Sequence, residues 1–330
     1  MSLDLPALLA AVAERSGLNA KADIAQVTAD LPDLPFGWHA NGDDTAAIPN
    51  GDGYQLLAIE GFINRFVDQD PWFAGWCGVM VNLSDIAAMG GRPVAVVNAL
   101  WDSQAEHANQ IMAGMIAAAQ TFDVPIVGGH TNLSTPQSQL AVAVLGQAKK
   151  LLSSYQARSG QVLIAAIDLR GAFRRPFLNW NCATEAPAHR LRADLELLPA
   201  LAEKGWVSAA KDISQAGILG TLLMLLECSG VAATIDLQAL PKPDDEDWLE
   251  WLCAFPSYGY LLSCDEVHLD RVLAQFHQRD IAAACIGQCQ TGHQLTVQYG
   301  HQSQVFRDLK KTPLMGFKLP ANPAAILMES

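Results

Sequence analysis

Carboxylate side chains recur at the ends of apolar segments in this 330-residue sequence, where they could gather around a metal ion. They are Asp43 and Asp44 in "NGDDTAA", Glu60 at the end of "LLAIE", Asp85 in "VNLSDIAAM" and Asp212 at the end of "VSAAKD". Mg²⁺ prefers carboxylate and water oxygens. Several carboxylates that share a divalent ion are neutralised, whereas a single buried carboxylate is costly. The pattern therefore favours a magnesium site built from these five acids.

Each acid also has an ordinary structural interpretation. Asp43 and Asp44 could form Asx turns within their loop. Asp85 could occupy a solvated helix position, and Asp212 could cap a helix that begins near Ser214. The sequence alone leaves these alternatives open.

A glycine pair after an apolar strand, in "VPIVGGHTNLS", is the second candidate feature. Gly128 and Gly129 would let backbone N–H groups approach an anion closely, and Thr131, Asn132 and Ser134 add hydroxyl and amide donors. The sequence contains no GxxxxGK[ST] segment, so a P-loop nucleotide site is excluded. These residues predict a phosphate-binding strand end of another kind.

The elements that must position these residues belong to a globular chain of two expected domains, 1–150 and 151–330. In the first, the hydrophobic pattern predicts helices over about 5–17, 71–90 and 103–121, strands over 54–62 and 93–101, and a long loop over 29–53. In the second, it predicts helices over about 188–204 and 214–229 among several strands. The pattern indicates an α+β fold, with an N-terminal α/β domain and a C-terminal α+β domain.

Composition excludes several classes of function. The net charge of −13 and the pI near 4.9 argue against nucleic-acid binding, because phosphate backbones need Lys and Arg. No apolar run is long enough to span a bilayer, and the amphipathic N-terminus does not resemble a signal peptide, so we expect no membrane association and a cytoplasmic location. Seven cysteines without a CxxC pair predict reduced, mostly buried thiols, although "CIGQC" (285–289) could be half of a metal site.

Five motifs, in order, resemble those of the AIR synthase (PurM-like) superfamily: "NGDDTAAIP", "LLAIEGFI", "VNLSDIAAMGGRP", "VPIVGGHTN" and "AAKDISQAG". The N-terminal motifs are most similar to thiamine-monophosphate kinase. The resemblance implies a homodimer whose N-terminal domains pair their sheets into a shared barrel, with an α+β domain packed on each. It also implies that ATP is bound through Mg²⁺ and that its γ-phosphoryl group is transferred to a small molecule, or activates one.

The resemblance also implies roles for individual residues. Asp43, Asp44, Asp85 and Asp212 match acidic metal-binding positions of the family, and Asp212 is a candidate catalytic residue. Asn82 is expected beside the nucleotide, together with the backbone of the glycine-rich strand, and we also expect Arg158 to bind the cofactor. The predicted cofactor-binding residues are Asn82, Gly128, Gly129, Thr131 and Arg158.

Three positions depart from the family pattern. Glu60 replaces an Asp, His130 replaces the Asp of Gly-Gly-Asp-Thr, and Gln215 replaces the second acid of the "DISQAG" turn. Fewer negative charges should bind fewer ions. His130 could act as a general base, donate to a phosphate, or be a structural histidine bonded to a carbonyl. A nucleotide-binding protein without phosphotransfer and a dimeric scaffold are therefore the alternatives to an ATP-dependent enzyme.

One further segment and one cysteine bear on the substrate. The stretch 170–192 holds five arginines, interleaved with Phe173, Phe177 and Trp180, in an otherwise acidic chain. It could be a lid or acceptor pocket, or a linker whose aromatic side chains close over the core. Selenophosphate synthetase needs a reactive cysteine near its N-terminus, and the first cysteine here is Cys77, within an apolar helix pattern. The acceptor stays open.

Overall fold

A computed structural model of the chain describes residues 3–28, 30–32, 34–35, 38 and 41–317. Its contacts define two compact units. The smaller unit comprises 44–151 and 185–200, and the larger unit comprises 1–43, 152–184 and 201–330. The smaller unit differs from the expected first domain because 1–43 cluster with the larger unit while 185–200 join the smaller one.

The helices and strands follow one another along the chain as a mixed α+β fold. The helices are α1 Leu5–Ala13, α2 Ser16–Asn19, α3 Ala22–Val27, α4 Asn64–Gln69, α5 Pro71–Ala88, α6 Ala105–Phe122, α7 Ala188–Leu195, α8 Leu197–Glu203, α9 Gly217–Ser229, α10 Trp248–Leu252 and α11 Leu269–His277. The strands are β1 Ala46–Asn50, β2 Gly53–Gly61, β3 Arg92–Trp101, β4 Ile126–Asn132, β5 Gln139–Ala148, β6 Val162–Ile167, β7 Ala172–Phe173, β8 Asn179–Asn181, β9 Ala209–Asp212, β10 Ala232–Asp236, β11 Phe255–Pro256, β12 Gly259–Cys264, β13 Ala282–Gln290, β14 Gln294–Tyr299 and β15 Gln302–Asp308.

The smaller unit is built on a five-stranded sheet in the order β1-β2-β5-β3-β4. Only β3 and β4 run parallel, and the other pairs are antiparallel. Helix α5 packs on one face of this sheet, where a Cβ at Gly78 would lie 2.9 Å from Val142 Cγ2. Helix α6 packs against α5 so closely that a Cβ at Gly75 would lie 1.9 Å from the Ile111 carbonyl oxygen. Glycines in α5 thus set the spacing of the helix layer.

The two faces of the five-stranded sheet differ in exposure. Leu56, Val142 and Val144 are buried beneath the helices. The alternate residues form an apolar face that we call the open face, on which Ile59 is 69% exposed and Val97 is 40% exposed. Its larger side chains are Leu57, Ile59, Val97 and Leu145. The strands therefore alternate between buried and exposed apolar residues.

The larger unit is built on a seven-stranded sheet in the order β15-β14-β10-β13-β6-β12-β9. Its strands β6 and β12 are buried along their whole length. A separate three-stranded sheet, β11-β8-β7, lies in the same unit. Within the described part of the chain, no helix is both long enough and apolar enough to cross a bilayer.

The hydrophobic pattern predicted most of these elements, and four predictions were wrong in detail. The helix expected over 5–17 ends at Ala13 and is followed by the separate helix α2. The loop expected over 29–53 contains β1, and six of its positions (29, 33, 36, 37, 39 and 40) lie outside the described residues. The helix expected over 188–204 is two helices, because Pro199 has no N–H and is accommodated in the first turn of a new helix. The helix expected from Ser214 begins at Gly217.

Candidate functional site

Two of the predicted metal ligands converge in the smaller unit. Asp44 directly precedes β1, and Asp85 stands on α5, where only 5% of its surface is exposed. Carboxylate oxygens of these two residues lie within 4.8 Å of one another. The burial of Asp85 rules out the solvated helix position. Two like charges at this separation repel each other, so the arrangement favours a cation between them.

Buried polar atoms in the same unit strengthen this interpretation. Asn82 is fully buried one turn before Asp85, and its Nδ2 donates to the Gly78 carbonyl at 2.8 Å. Its Oδ1 has no hydrogen-bond partner among the described residues, and neither has the Oγ1 of buried Thr45, next to Asp44. A buried polar atom without a partner costs about 1–3 kcal/mol. Such atoms are commonly satisfied by ordered water or by a ligand that supplies the missing contacts.

The donor set fits Mg²⁺. The oxygens of Asp44 and Asp85 are hard ligands, and their separation is compatible with one ion completed by water and phosphate oxygens. No histidine or cysteine belongs to this group, so a transition metal is less suitable. The chain's own residues can thus hold a magnesium ion at the helix layer.

Asp43 is held by hydrogen bonds within the larger unit. Its Oδ2 accepts from Ser153 Oγ at 2.6 Å, and its Oδ1 accepts from the Ser154 backbone N–H at 2.6 Å. The hydroxyl of Tyr155 donates to the Asn41 carbonyl, and burial raises the pKa of that phenol. Asp43 therefore ties its loop to the segment after residue 151. These contacts reach far along the chain and are not those of an Asx turn.

Glu60 and Asp212 lie on strands of different units. Glu60 is half-buried in β2, opposite Val142 of β5, on the helix-covered face. Asp212 is buried at the end of β9, opposite Tyr260. The capping alternative for Asp212 is not observed, because α9 begins at Gly217 and its N-cap residue, Ala216, makes no side-chain capping bond.

The glycine-rich motif forms β4, the edge strand of its sheet. A Cβ at Gly129 would lie 2.4 Å from Asn98 Oδ1 and 2.6 Å from the Asn98 carbonyl oxygen, so packing requires this glycine. A Cβ at Gly128 would meet only Val97 Cγ1, at 3.9 Å. Packing within the chain leaves Gly128 unexplained, and its register with Val97 directs its Cβ position toward the open face.

His130 lies on the other side of the sheet from Asp85. It is paired in register with Ala99, and its ring centroid lies 6.0 Å from that of Trp101. Residues in register on parallel strands point to the same face, so His130 projects from the open face and α5 with Asp85 covers the opposite one. Thr131, one residue later, is in register with buried Leu100 on the helix side.

Arg158 is an exposed residue of the larger unit, in the turn before β6. Its backbone N–H donates to Gln161 Oε1 at 3.0 Å, and its carbonyl accepts from the Gln161 N–H. These bonds fix the turn. Its role in binding the cofactor stays a prediction.

In the arginine-rich segment 170–192, arginine side chains pair with carboxylates and aromatic side chains pack against one another. Arg170 pairs with buried Asp168, and Arg175 forms a two-pronged pair with Glu250 at 2.8 and 2.6 Å. Trp180 and Trp251 meet edge to face, with ring centroids 5.2 Å apart. These contacts support the linker interpretation over the lid.

The cysteines are consistent with reduced thiols. All seven are free, and Cys77 is buried in α5 with 1% exposure. Cys285 and Cys289 both lie in β13, where burial raises the pKa of Cys289 to about 12. A high pKa keeps the thiol protonated and a poor metal ligand.

Two polar groups near β3 were not predicted from the sequence. Asn98 is buried, and its Nδ2 has no hydrogen-bond partner among the described residues. Asp102, just after β3, is 1% exposed, and its Oδ2 lies 2.6 Å from His107 Nδ1. A polar residue in an apolar strand was the only available signal for Asn98. The spacing of Asp102 and His107, five positions apart at the start of a helix, gave no signal in the sequence.

Two family models match the chain. The "AIR synthase related protein, N-terminal domain" model matches residues 42–148, and the "AIR synthase related protein, C-terminal domain" model matches residues 178–300. An uncharacterised protein of Synechocystis sp. is 49% identical over 84% of this chain and 86% of its own length. The selenide, water dikinase of Myxococcus xanthus is 28% identical over 66% of each chain.

Solved structures share the fold at low sequence identity. T. maritima PurL complexed with ATP superposes with a TM-score of 0.75 at 18% identity, over 94% of this chain and 53% of that chain. This chain thus spans about half of that protein. AaThiL complexed with AMPPCP and TMP has a TM-score of 0.66 at 17% identity, over 89% of this chain and 98% of that chain.

Proposed function

Because the chain belongs to the AIR synthase related family, as its motifs predicted, we propose that it is an ATP- and Mg²⁺-dependent enzyme. It transfers the γ-phosphoryl group of ATP to a small-molecule acceptor, or activates the acceptor by phosphorylation. The observation that carries this proposal is the convergence of Asp44 and Asp85 beside the buried, unpartnered Oδ1 of Asn82. Relatives named as a dikinase, and as complexed with ATP or AMPPCP, support it.

The proposed ligand set extends beyond this pair. We assign Asp44 and Asp85 as magnesium ligands on their geometry, and we keep Asp43, Glu60 and Asp212 as proposed ligands on the family resemblance alone. Bound Mg²⁺ would neutralise phosphate charge. The chain itself orients the nucleotide through Asn82, the backbone of Gly128 and Gly129, the Thr131 hydroxyl and Arg158. Phosphoryl transfer asks mainly for such positioning and charge neutralisation.

Of the two candidate catalytic residues, Asp212 has the more direct role in this proposal and His130 the less direct one. Its position on the open face separates it from the helix layer of its own unit. We therefore propose that the carboxylates act on the reacting phosphate. His130 remains a candidate general base for the acceptor. The burial of Cys77 argues against its use as a nucleophile.

We further propose that the protein is a homodimer joined through the open face. A monomer rarely leaves an apolar sheet face in water. Ile59→Lys places a charge at the centre of this face and should convert the dimer to a monomer in sedimentation velocity. Val305→Lys, at an apolar position of the larger unit that is 43% exposed, is the matched control and should sediment as the wild type does. A dimer that survives Ile59→Lys would contradict this interface.

The decisive experiment compares Asp85→Asn with Asp52→Asn, which makes the same charge change at an exposed turn. Turnover of Mg-ATP with a pool of metabolite acceptors should fall at least about 100-fold in Asp85→Asn. A bound metal ion stabilises the transition-state charge by several kcal/mol, and loss of one ligand weakens that binding. The increase in melting temperature on adding Mg-ATP should be lost as well. Asp52→Asn should retain both. Equal turnover in the two variants would overturn the proposed site, and binding without any turnover in the wild type would favour a nucleotide-binding protein.

A further inference from the structure

A buried carboxylate–imidazole pair stands where β3 meets α6. Asp102 Oδ1 accepts from the backbone N–H groups of Ser103 and Gln104, at 2.7 and 2.8 Å, and so fixes the turn before α6. Its Oδ2 lies 2.6 Å from His107 Nδ1. Burial raises the pKa of Asp102, but the hydrogen bonds from His107, Gln104 and Ser138 outweigh it, and the pKa lies below its usual value. The carboxylate is therefore well stabilised in its charged form.

The same residue is tied to the chain that leaves β4. The Asp102 backbone N–H donates to the Asn132 carbonyl at 3.0 Å. Its carbonyl accepts from the Thr135 N–H at 3.2 Å and from the Thr135 hydroxyl at 3.3 Å. Ser138 Oγ lies 3.4 Å from His107 Nδ1. Residues 132–138 are thus attached to Asp102 and His107 at four points.

We infer that the Asp102–His107 pair positions the carboxyl end of β4 and the loop after it, which present the hydroxyl and amide groups that contact the phosphate or the acceptor. This inference rests on the proposed function, because it assigns a purpose to Thr131, Asn132 and Ser134. In open α/β sheets, ligands bind outside the carboxyl ends of parallel strands. β3 and β4 are the parallel pair of this mostly antiparallel sheet, and the loop after β4 lies at their carboxyl end. His107 itself touches no reacting group, so it is a positioning residue.

The chemistry of the pair explains why His107 can be changed without unfolding the protein. Removal of its ring leaves Asp102 with two backbone donors, so the turn before α6 persists. Two contacts would be lost. One holds the Asp102 side chain in its orientation, and the other holds Ser138 of the loop against His107. An Asn side chain places an amide N–H near the position of Nδ1, so His107→Asn should replace this contact.

The test uses His107→Ala, His107→Asn and the control Asn109→Ala, which lies at an exposed position of the same helix. The Thr135 N–H donates to the Asp102 backbone carbonyl, so its hydrogen exchange should accelerate about tenfold in His107→Ala if the His107 contact holds Asp102 in place by about 1.4 kcal/mol. The Kd for Mg-ATP, or the KM for ATP, should rise by a similar factor with little change in melting temperature. His107→Asn should restore both quantities, and Asn109→Ala should leave both unchanged.

The two measurements separate failure of this inference from failure of the proposed function. Unchanged exchange at Thr135 in His107→Ala overturns the positioning role, whatever the protein binds. Faster exchange with an unchanged ATP affinity, in a protein whose Asp85→Asn variant no longer binds ATP, also overturns it, because the site then works without the pair. A wild-type protein that binds no ATP refutes the proposed function instead, and the exchange measurement alone then decides whether the pair holds the loop.

Discussion

Two regions of the molecule concentrate charge in different ways. In the helix layer of the smaller unit, Asp44 and Asp85 bring like charges within 4.8 Å, and Asn82 buries a carbonyl oxygen without a partner. In the segment 170–192, Arg170 and Arg175 each meet a carboxylate through two hydrogen bonds. The first arrangement places like charges close together, where a cation would lower their repulsion, whereas in the second each arginine faces a carboxylate. The sign of the neighbouring charge therefore distinguishes a candidate cation site from a structural ion pair.

The largest effect is expected from removing Trp251, which packs in the aromatic cluster beside the arginines. Trp251 is fully buried, meets Trp180 edge to face and donates from Nε1 to the Pro241 carbonyl at 2.9 Å. Trp251→Ala should lower the free energy of unfolding by about 3–5 kcal/mol, because it leaves a large cavity. Urea denaturation measures this loss.

The folded Trp251→Ala protein should still bind Mg-ATP with the wild-type Kd, measured by titration at low temperature where it stays folded. Trp206→Ala, at a half-buried position of the same unit, serves as the control for loss of an indole and should destabilise the protein less. A selective loss of ATP affinity in Trp251→Ala would show that the aromatic segment belongs to the site and would break the comparison.

Most of the fold was predictable because periodicity reports local burial. Helix α5 and strand β3 came within two residues of their predicted bounds. Strand β1 was missed because its five residues include Pro49 and lie between turn-forming residues, so that tertiary pairing with β2 decides the structure. The break between α7 and α8 falls inside one continuous amphipathic pattern, which conceals it.

The candidate site was predictable only in part. Residue types singled out Asp44 and Asp85, since each interrupts an apolar or glycine-rich context. They could not reveal that Asp43, the immediate neighbour of Asp44, turns to Ser153 and Ser154 instead. Nor could they show that His130 faces away from the helix layer, because the face of a strand residue depends on register. Long-range contacts decide which of several similar side chains share a site.

A smaller effect on stability is expected from substituting the paired glycines of β4. The two substitutions together separate a packing role from a ligand-binding role. Gly129→Ala forces a Cβ against Asn98 and should destabilise the protein by about 1–3 kcal/mol, the usual cost of overpacking. Gly128→Ala has room for its Cβ and should leave the melting temperature of the free protein nearly unchanged. Its Kd for Mg-ATP should rise if phosphate approaches this backbone, and an unchanged Kd would remove Gly128 from the site.

The smallest change, Asn82→Leu, tests whether the unpartnered oxygen is kept for a ligand. Leu has the branching of Asn and removes the buried Oδ1, but it is larger and also loses the bond to the Gly78 carbonyl, so the free protein should be destabilised by about 1–3 kcal/mol. If Oδ1 contacts the nucleotide or its metal, the Kd for Mg-ATP should rise about tenfold, the factor for one lost hydrogen bond of about 1.4 kcal/mol. Ser84→Ala is a matched control on the same helix, because its hydroxyl donates only to the Met80 carbonyl among the described contacts. Lower stability together with an unchanged affinity would mean that Asn82 is a packing residue, and the helix layer would then resemble the arginine segment more than a binding site.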